Sequence, residues 1–113
     1  MANPVTWFEI TGKDGKKLQN FYSGVFGWKV DANNPMNYGM VAAGGKDSIG
    51  GGIGPTHDAP RVTVYVQVPD INGALSKAES LGGRTVMQRT DIGMVVMAQF
   101  LDPEGNVIGL VEG

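Results

Sequence analysis

Glu9 stands two residues after Trp7 in the run VTWFEIT (Val5 to Thr11), and that spacing sets a carboxylate and an indole side by side on one face of an alternating strand. A carboxylate held against an aromatic ring loses hydration, and desolvation raises its proton affinity towards the range useful to a general base. Glu9 is therefore the candidate catalytic residue. Its structural alternative is pairing with a cationic side chain or a facing subunit. Few other groups qualify. The chain has one histidine and no cysteine, which removes thiolate nucleophiles, thiolate metal sites and disulfides together. His57 lies in Gly54-Pro55-Thr56-His57-Asp58-Ala59-Pro60, a Pro-bracketed stretch that reads as a solvated connector. With Asp58 or Glu9 it offers too few ligands to hold zinc without a partner chain. Arg84 and Arg89 read as solvated positions, with attraction of an anionic ligand as the alternative.

The strands that must position these groups are legible from alternation. Val5 to Thr11 places Trp7 and Glu9 opposite Thr6, Phe8 and Ile10. Arg61 to Val68 places Thr63, Tyr65 and Gln67 opposite Val62, Val64, Val66 and Val68, and the valine face is expected to lie under a helix. Met97 and Gln99 share a face with Val95 on a later strand, a polar anchor flanked by apolar groups. Trp7, Glu9, Thr63, Tyr65, Gln67, Met97 and Gln99 thus become candidate ligand-binding residues, with ordinary exposed or interfacial sheet positions as the alternative reading.

Between the strands the chain repeats itself. Asp14 to Val30 and Asp70 to Val86 are of equal length, share Asp, Gly and Val at matching positions, and begin 56 residues apart. Asp14 caps a helix with apolar positions Leu18, Phe21, Tyr22 and Val25, stopped at Gly27. Pro69-Asp70 opens a second with Ile71, Ala74, Leu75, Ala78 and Leu81, stopped at Gly82-Gly83. After the first come strands at about 28–30, 38–43 and 48–53; after the second, strands at 84–88, 94–100 and 107–111, the last reached through Asp102-Pro103-Glu104-Gly105-Asn106. Each half reads βαβββ. The expected fold is α+β, a single domain over 1–113 with one module at about 4–54, a connector at 55–60 and a second module at about 61–112. Two such modules are expected to form one curled mixed sheet with helices outside, its inner wall a cup. Gly50-Gly51-Gly52 reads either as a close-approach site for a ligand or neighbouring backbone, or as a bulged edge strand.

A net charge of −2 without a basic stripe argues against nucleic acid as a partner. The first ten residues carry no basic-then-apolar leader pattern and no apolar run approaches the roughly 20 residues that span a bilayer, so a cytoplasmic protein with no membrane partner is expected.

The residues Phe8-Glu9-Ile10, Asp14, Asn20-Phe21-Tyr22, Val25-Phe26-Gly27-Trp28, Leu81-Gly82-Gly83 and Asp102-Pro103-Glu104-Gly105-Asn106, in that order and spacing, resemble the vicinal oxygen chelate superfamily over essentially the whole chain. That superfamily includes glyoxalases, bleomycin-resistance proteins and extradiol dioxygenases. The resemblance implies paired βαβββ modules and, in metal-dependent members, a divalent ion held by residues of the first and last strands of each module. The matching posts here are Trp7, Thr63, Gly109 and the Gly50 to Gly52 run, none an ordinary ligand. The resemblance therefore implies a homodimer-forming, metal-free and cofactor-free binder of a small apolar or aromatic molecule, with Gly109 and its neighbours as a backbone floor. The alternative is a lyase or isomerase using Glu9 as acid or base, or an atypical metal site.

Overall fold

The computed structural model describes residues 2–113, and every expected element is present. The chain runs β1 (Val5–Gly12), α1 (Gly15–Phe26), β2 (Val30–Asp31), β3 (Gly39–Val41), β4 (Gly50–Pro55), β5 (Arg61–Val68), α2 (Ile71–Ser80), β6 (Arg84–Asp91), β7 (Val96–Leu101) and β8 (Val107–Glu112). This is the α+β architecture of two βαβββ modules. Two compact units are distinguished, residues 7–63 and residues 64–113 with the N-terminal stretch to Thr6.

In the first unit the strand order is β2-β3-β4-β1. β1 and β4 are parallel, with Trp7 opposite Gly50 and Glu9 opposite Gly52; β3 is antiparallel to both β4 and β2. β4 is thus an inner strand with continuous register, which corrects the expectation of a bulged or exposed glycine-rich edge. The glycines answer to rings packed on both faces. A Cβ on Gly51 would fall within the Phe8 ring, on the helix side of the sheet, and one on Gly52 within the Tyr38 ring. α1 starts because Asp14 Oδ1 accepts the Lys17 backbone N–H at 3.0 Å, and stops because Gly27 turns left-handed at φ 71° while its N–H reaches the Ser23 carbonyl. Its inner side joins an aromatic cluster: Trp28 stacks on Tyr22 at 6.0 Å and meets Phe8 at 5.4 Å. Phe21, Val25 and Phe26 remain more than half exposed, so the predicted apolar stripe of α1 is only partly buried.

In the second unit the order is β5-β8-β7-β6, with β5 and β8 parallel and the other pairs antiparallel. Ile71 and Leu75 of α2 pack on Val68, Ala98 and Leu110 to form an aliphatic core. Burying such side chains contributes roughly 1.5–3 kcal/mol each. Only the C-terminal part of the valine face belongs here. Val66 and Val68 join this core, whereas Val62 and Val64 are exposed. β6 runs three residues beyond its expected end, through two irregularities between Thr85 and Thr90. The Asp102 to Asn106 turn is closed by Asp102 Oδ1 accepting the Glu104 and Asn106 amides at 2.9 Å, with Gly105 at φ 91°. Hydrogen bonds from Asn106, first its side chain and then its backbone, hold the Asp102 carboxyl below its ordinary range. No helix among the described residues is long and apolar enough to cross a membrane.

Candidate functional site

Trp7 and Glu9 lie on the face of β1 away from α1, as their alternation with Phe8 requires, and a third residue joins them. Trp7 Nε1–H donates to the Tyr38 hydroxyl at 3.0 Å, and the Tyr38 O–H donates to Glu9 Oε2 at 3.0 Å. Indole, phenol and carboxylate form one half-buried hydrogen-bonded series. Tyr38 is fixed at its backbone: the Asn34 side chain accepts the Tyr38 N–H at 3.0 Å and donates to the Tyr38 carbonyl at 2.7 Å. Asn37, just before it, takes the left-handed conformation at φ 54°. Because Gly52 lacks a side chain, the phenol can lie flat over β4.

Tyr38 was not foreseen. It follows a turn with no periodicity, and its position depends on the long-range approach of β3 to β4. The one signal in the sequence is the glycine run itself, since three successive glycines in an inner strand imply bulky groups lying across them.

The second unit repeats the motif with other residues. Tyr65, Gly109 and Gln99 stand side by side on β5, β8 and β7. The Tyr65 ring covers Gly109, where a Cβ would fall within it, and Gln99 Nε2 donates to the Tyr65 hydroxyl at 2.8 Å. In each unit, then, a glycine expected as bare backbone lies beneath an aromatic ring, Gly52 under Tyr38 and Gly109 under Tyr65. Gln67 is half-buried, with its backbone N–H donating to the Pro4 carbonyl at 2.9 Å. Met97, also half-buried, pairs with Thr90 and Val111. Thr63 is 2% exposed and its Oγ1 has no hydrogen-bond partner among the described residues. His57 and Asp58 are exposed in the connector.

Arg89 is exposed, as the sequence reading has it, and it also has a partner. Its guanidinium grips Glu112, with Nη2 at 2.6 Å from Oε1 and Nε at 3.2 Å from both carboxylate oxygens. A side-chain hydrogen bond from Arg89 and a second bond from the Ile71 backbone N–H pull Glu112 down to about 2, and Glu112 raises Arg89 in turn. This pair belongs to the framework of the second unit.

The posts that the family resemblance assigns to a divalent ion can be tested on this donor set. Structural and catalytic sites take at least three protein donors. Trp7 and the glycines have no metal-binding side-chain atom, and Gly52 and Gly109 lie beneath tyrosine rings. Thr63 offers one hydroxyl, and Glu9 already accepts from Tyr38. Among the described residues no three His, Cys, Asp or Glu side chains gather. The residues do not fit a divalent ion at these posts.

Paired βαβββ modules whose first strands carry candidate polar groups opposite the helix define a vicinal oxygen chelate domain. The chain belongs to the glyoxalase-like domain family, whose model matches residues 7–111. Among curated proteins it is similar to the anthracycline biosynthesis protein DnrV of Streptomyces peucetius, at 28% identity over 95% of this chain and 48% of that protein. The chain thus spans about half the length of that relative. Among solved structures it is similar to a glyoxalase/bleomycin resistance protein/dioxygenase superfamily member from Vibrio splendidus, with TM-score 0.65 and 16% identity over 99% of this chain and 100% of that one. It is also similar to the Mn(II)-bound glyoxalase from Novosphingobium aromaticivorans, with TM-score 0.69 and 14% identity over 98% of this chain and 40% of that one. At such identities the structural likeness establishes the fold alone.

Proposed function

We propose that this glyoxalase-like domain binds a small apolar or aromatic molecule on the Trp7, Tyr38 and Glu9 face of its first unit, without a divalent ion. The observation that carries the reading is the Tyr38 phenol lying over Gly52 between the Trp7 indole N–H and the Glu9 carboxylate. Small-molecule sites combine flat apolar surface with a few oriented polar groups. Here the indole and phenol supply the surface, and the hydroxyl and carboxylate set orientation. The name of the Streptomyces relative, a protein of anthracycline biosynthesis, favours a flat, fused-ring ligand.

The test has two arms on protein purified without chelators. Elemental analysis is expected to find divalent metal well below one equivalent. Calorimetric titration with a hydroxyanthraquinone is expected to show saturable binding that weakens about tenfold or more in Trp7→Leu. Stoichiometric metal, or binding indifferent to Trp7→Leu and Glu9→Gln alike, would overturn the reading.

A second reading is enzymatic, and the Tyr38 to Glu9 hydrogen bond favours it. A carboxylate already accepting from a phenol has a defined lone-pair direction and a neighbouring donor. That suits a lyase or isomerase step in which Glu9 removes a proton and the phenol supports the resulting carboxylic acid. Glu9→Gln keeps the shape and abolishes the base, so turnover of any identified substrate that survives this change would eliminate the role.

A further inference from the structure

On the other side of the first unit, the start of α1 and the end of the connector enclose a groove of about 370 Å³, lined by Lys13, Lys17, Leu18, Phe21, Tyr22 and Pro60 among others. Its walls are apolar. Phe21 and Tyr22 meet edge to face at 5.1 Å and 90°, which makes a corner of two ring surfaces, and Phe21 is 57% exposed although it lies on the helix's apolar stripe. Its rim is cationic. Lys13 and Lys17 are exposed and form no ion pair among the described residues, while Asp14, which lines the groove between them, keeps its single negative charge and turns Oδ1 to the Lys17 amide as the helix cap. In a chain of net charge −2, a rim where two lysines outnumber one aspartate beside an apolar corner is a selective feature.

We propose that this groove is a second small-molecule site, separate from the Trp7, Tyr38 and Glu9 face, and that it takes a flat aromatic carboxylate. The ring body fits against Phe21, Tyr22, Leu18 and Pro60, and the carboxylate lies between Lys13 and Lys17. The size of the groove admits a one- or two-ring ligand, at the small end of ligand pockets. Exposed charge pairs contribute little affinity, so the apolar walls hold the ligand and the lysines choose the anion over its neutral analogue.

The probe is 2-naphthoate, titrated into the ¹⁵N-labelled chain and followed by amide shifts. Saturable shifts are expected along Gly12 to Tyr22 and at Ala59. Affinity is expected to fall about tenfold or more in the Lys13→Glu, Lys17→Glu double variant, to fall similarly in Phe21→Ser, and to be several-fold lower for neutral 2-naphthylmethanol. All three positions are exposed, so an unchanged spectral dispersion will certify folding in each variant. Absence of saturable shifts, shifts centred instead on Trp7, Glu9 and Tyr38, or undiminished affinity after double charge reversal would overturn the proposal.

Discussion

Glu112, the penultimate residue of the chain, accepts the backbone N–H of Ile71 at 3.0 Å and so caps α2 from a different strand. Asp70 occupies the cap position itself but makes no side-chain cap bond. The same carboxylate is gripped by Arg89 on β6, so one group ties β8 to β6 and to the start of α2.

A pH dependence follows from that arrangement. Glu112 is held at about 2 in the folded chain, below its ordinary 4.5, first by the Arg89 hydrogen bond and then by the Ile71 N–H. A depressed carboxyl binds its proton more readily when unfolded, so its stabilising contribution is complete above about pH 5 and is lost as pH falls towards 2. Urea midpoints measured from pH 7 to pH 2 are expected to drop most steeply below pH 4.5. In Glu112→Gln that component of the slope is expected to vanish, and an identical slope in the variant would refute the linkage.

The tyrosine-covered glycines predict a double-mutant cycle. Gly52→Ala drives a methyl into the Tyr38 ring and is expected to cost about 1–3 kcal/mol, the usual range for overpacking. In a Tyr38→Ala background the same methyl enters vacated space, and the added cost is expected to fall close to zero. Equal costs in both backgrounds would show that the ring is not what Gly52 accommodates. The pair Gly109 and Tyr65 is expected to behave alike.

Thr63 predicts a stabilising substitution. Its hydroxyl is buried without a partner among the described residues, and an unsatisfied buried polar group costs about 1–3 kcal/mol. Thr63→Val keeps the branched shape and removes the orphan, so its unfolding midpoint is expected to rise, whereas Thr63→Ser keeps the orphan, loses a methyl, and is expected to fall. A lower midpoint for Thr63→Val would mean that the hydroxyl has a stabilising partner in solution.

These sites also mark where the sequence was legible. Local rules were enough for the Asp14 cap, the Gly27 stop and the Asp102 to Asn106 turn, because each is settled within a few residues. The repeat aligned Gly27 with Gly83, yet it is Gly82 that turns left-handed at φ 104°, while Gly83 is needed where a Cβ would approach the Leu101 carbonyl at 2.7 Å. Which glycine does which job depends on how the helix end meets β7. The face of Trp7 and Glu9 followed from alternation, but Tyr38 did not, since nothing near residue 38 repeats. Val62 and Val64 alternate as cleanly as Val66 and Val68, yet only the latter pair joins the aliphatic core. Period two names a face of a strand; it does not say how much of that face is covered.

Gln19 gives the sharpest case of a residue that periodicity hides. It is a polar residue 8% exposed in a helix, and its side-chain N–H groups donate to the Asn37 carbonyl at 2.9 Å and the Ile53 carbonyl at 2.8 Å. One amide thereby joins α1 to β4 and to the left-handed residue before Tyr38, which makes it the support of the candidate site from behind. Gln19→Leu fills similar volume but withdraws both donors, and is expected to cost about 1–3 kcal/mol. Gln19→Glu presents oxygens to two carbonyls and is expected to cost more at pH 7 than the leucine variant, with part of the loss recovered at low pH, where a protonated carboxyl can donate once. Chemical denaturation of the three proteins at pH 7 and pH 4 checks the order, and a glutamate variant as stable as leucine at pH 7 would remove the donor role assigned to Gln19.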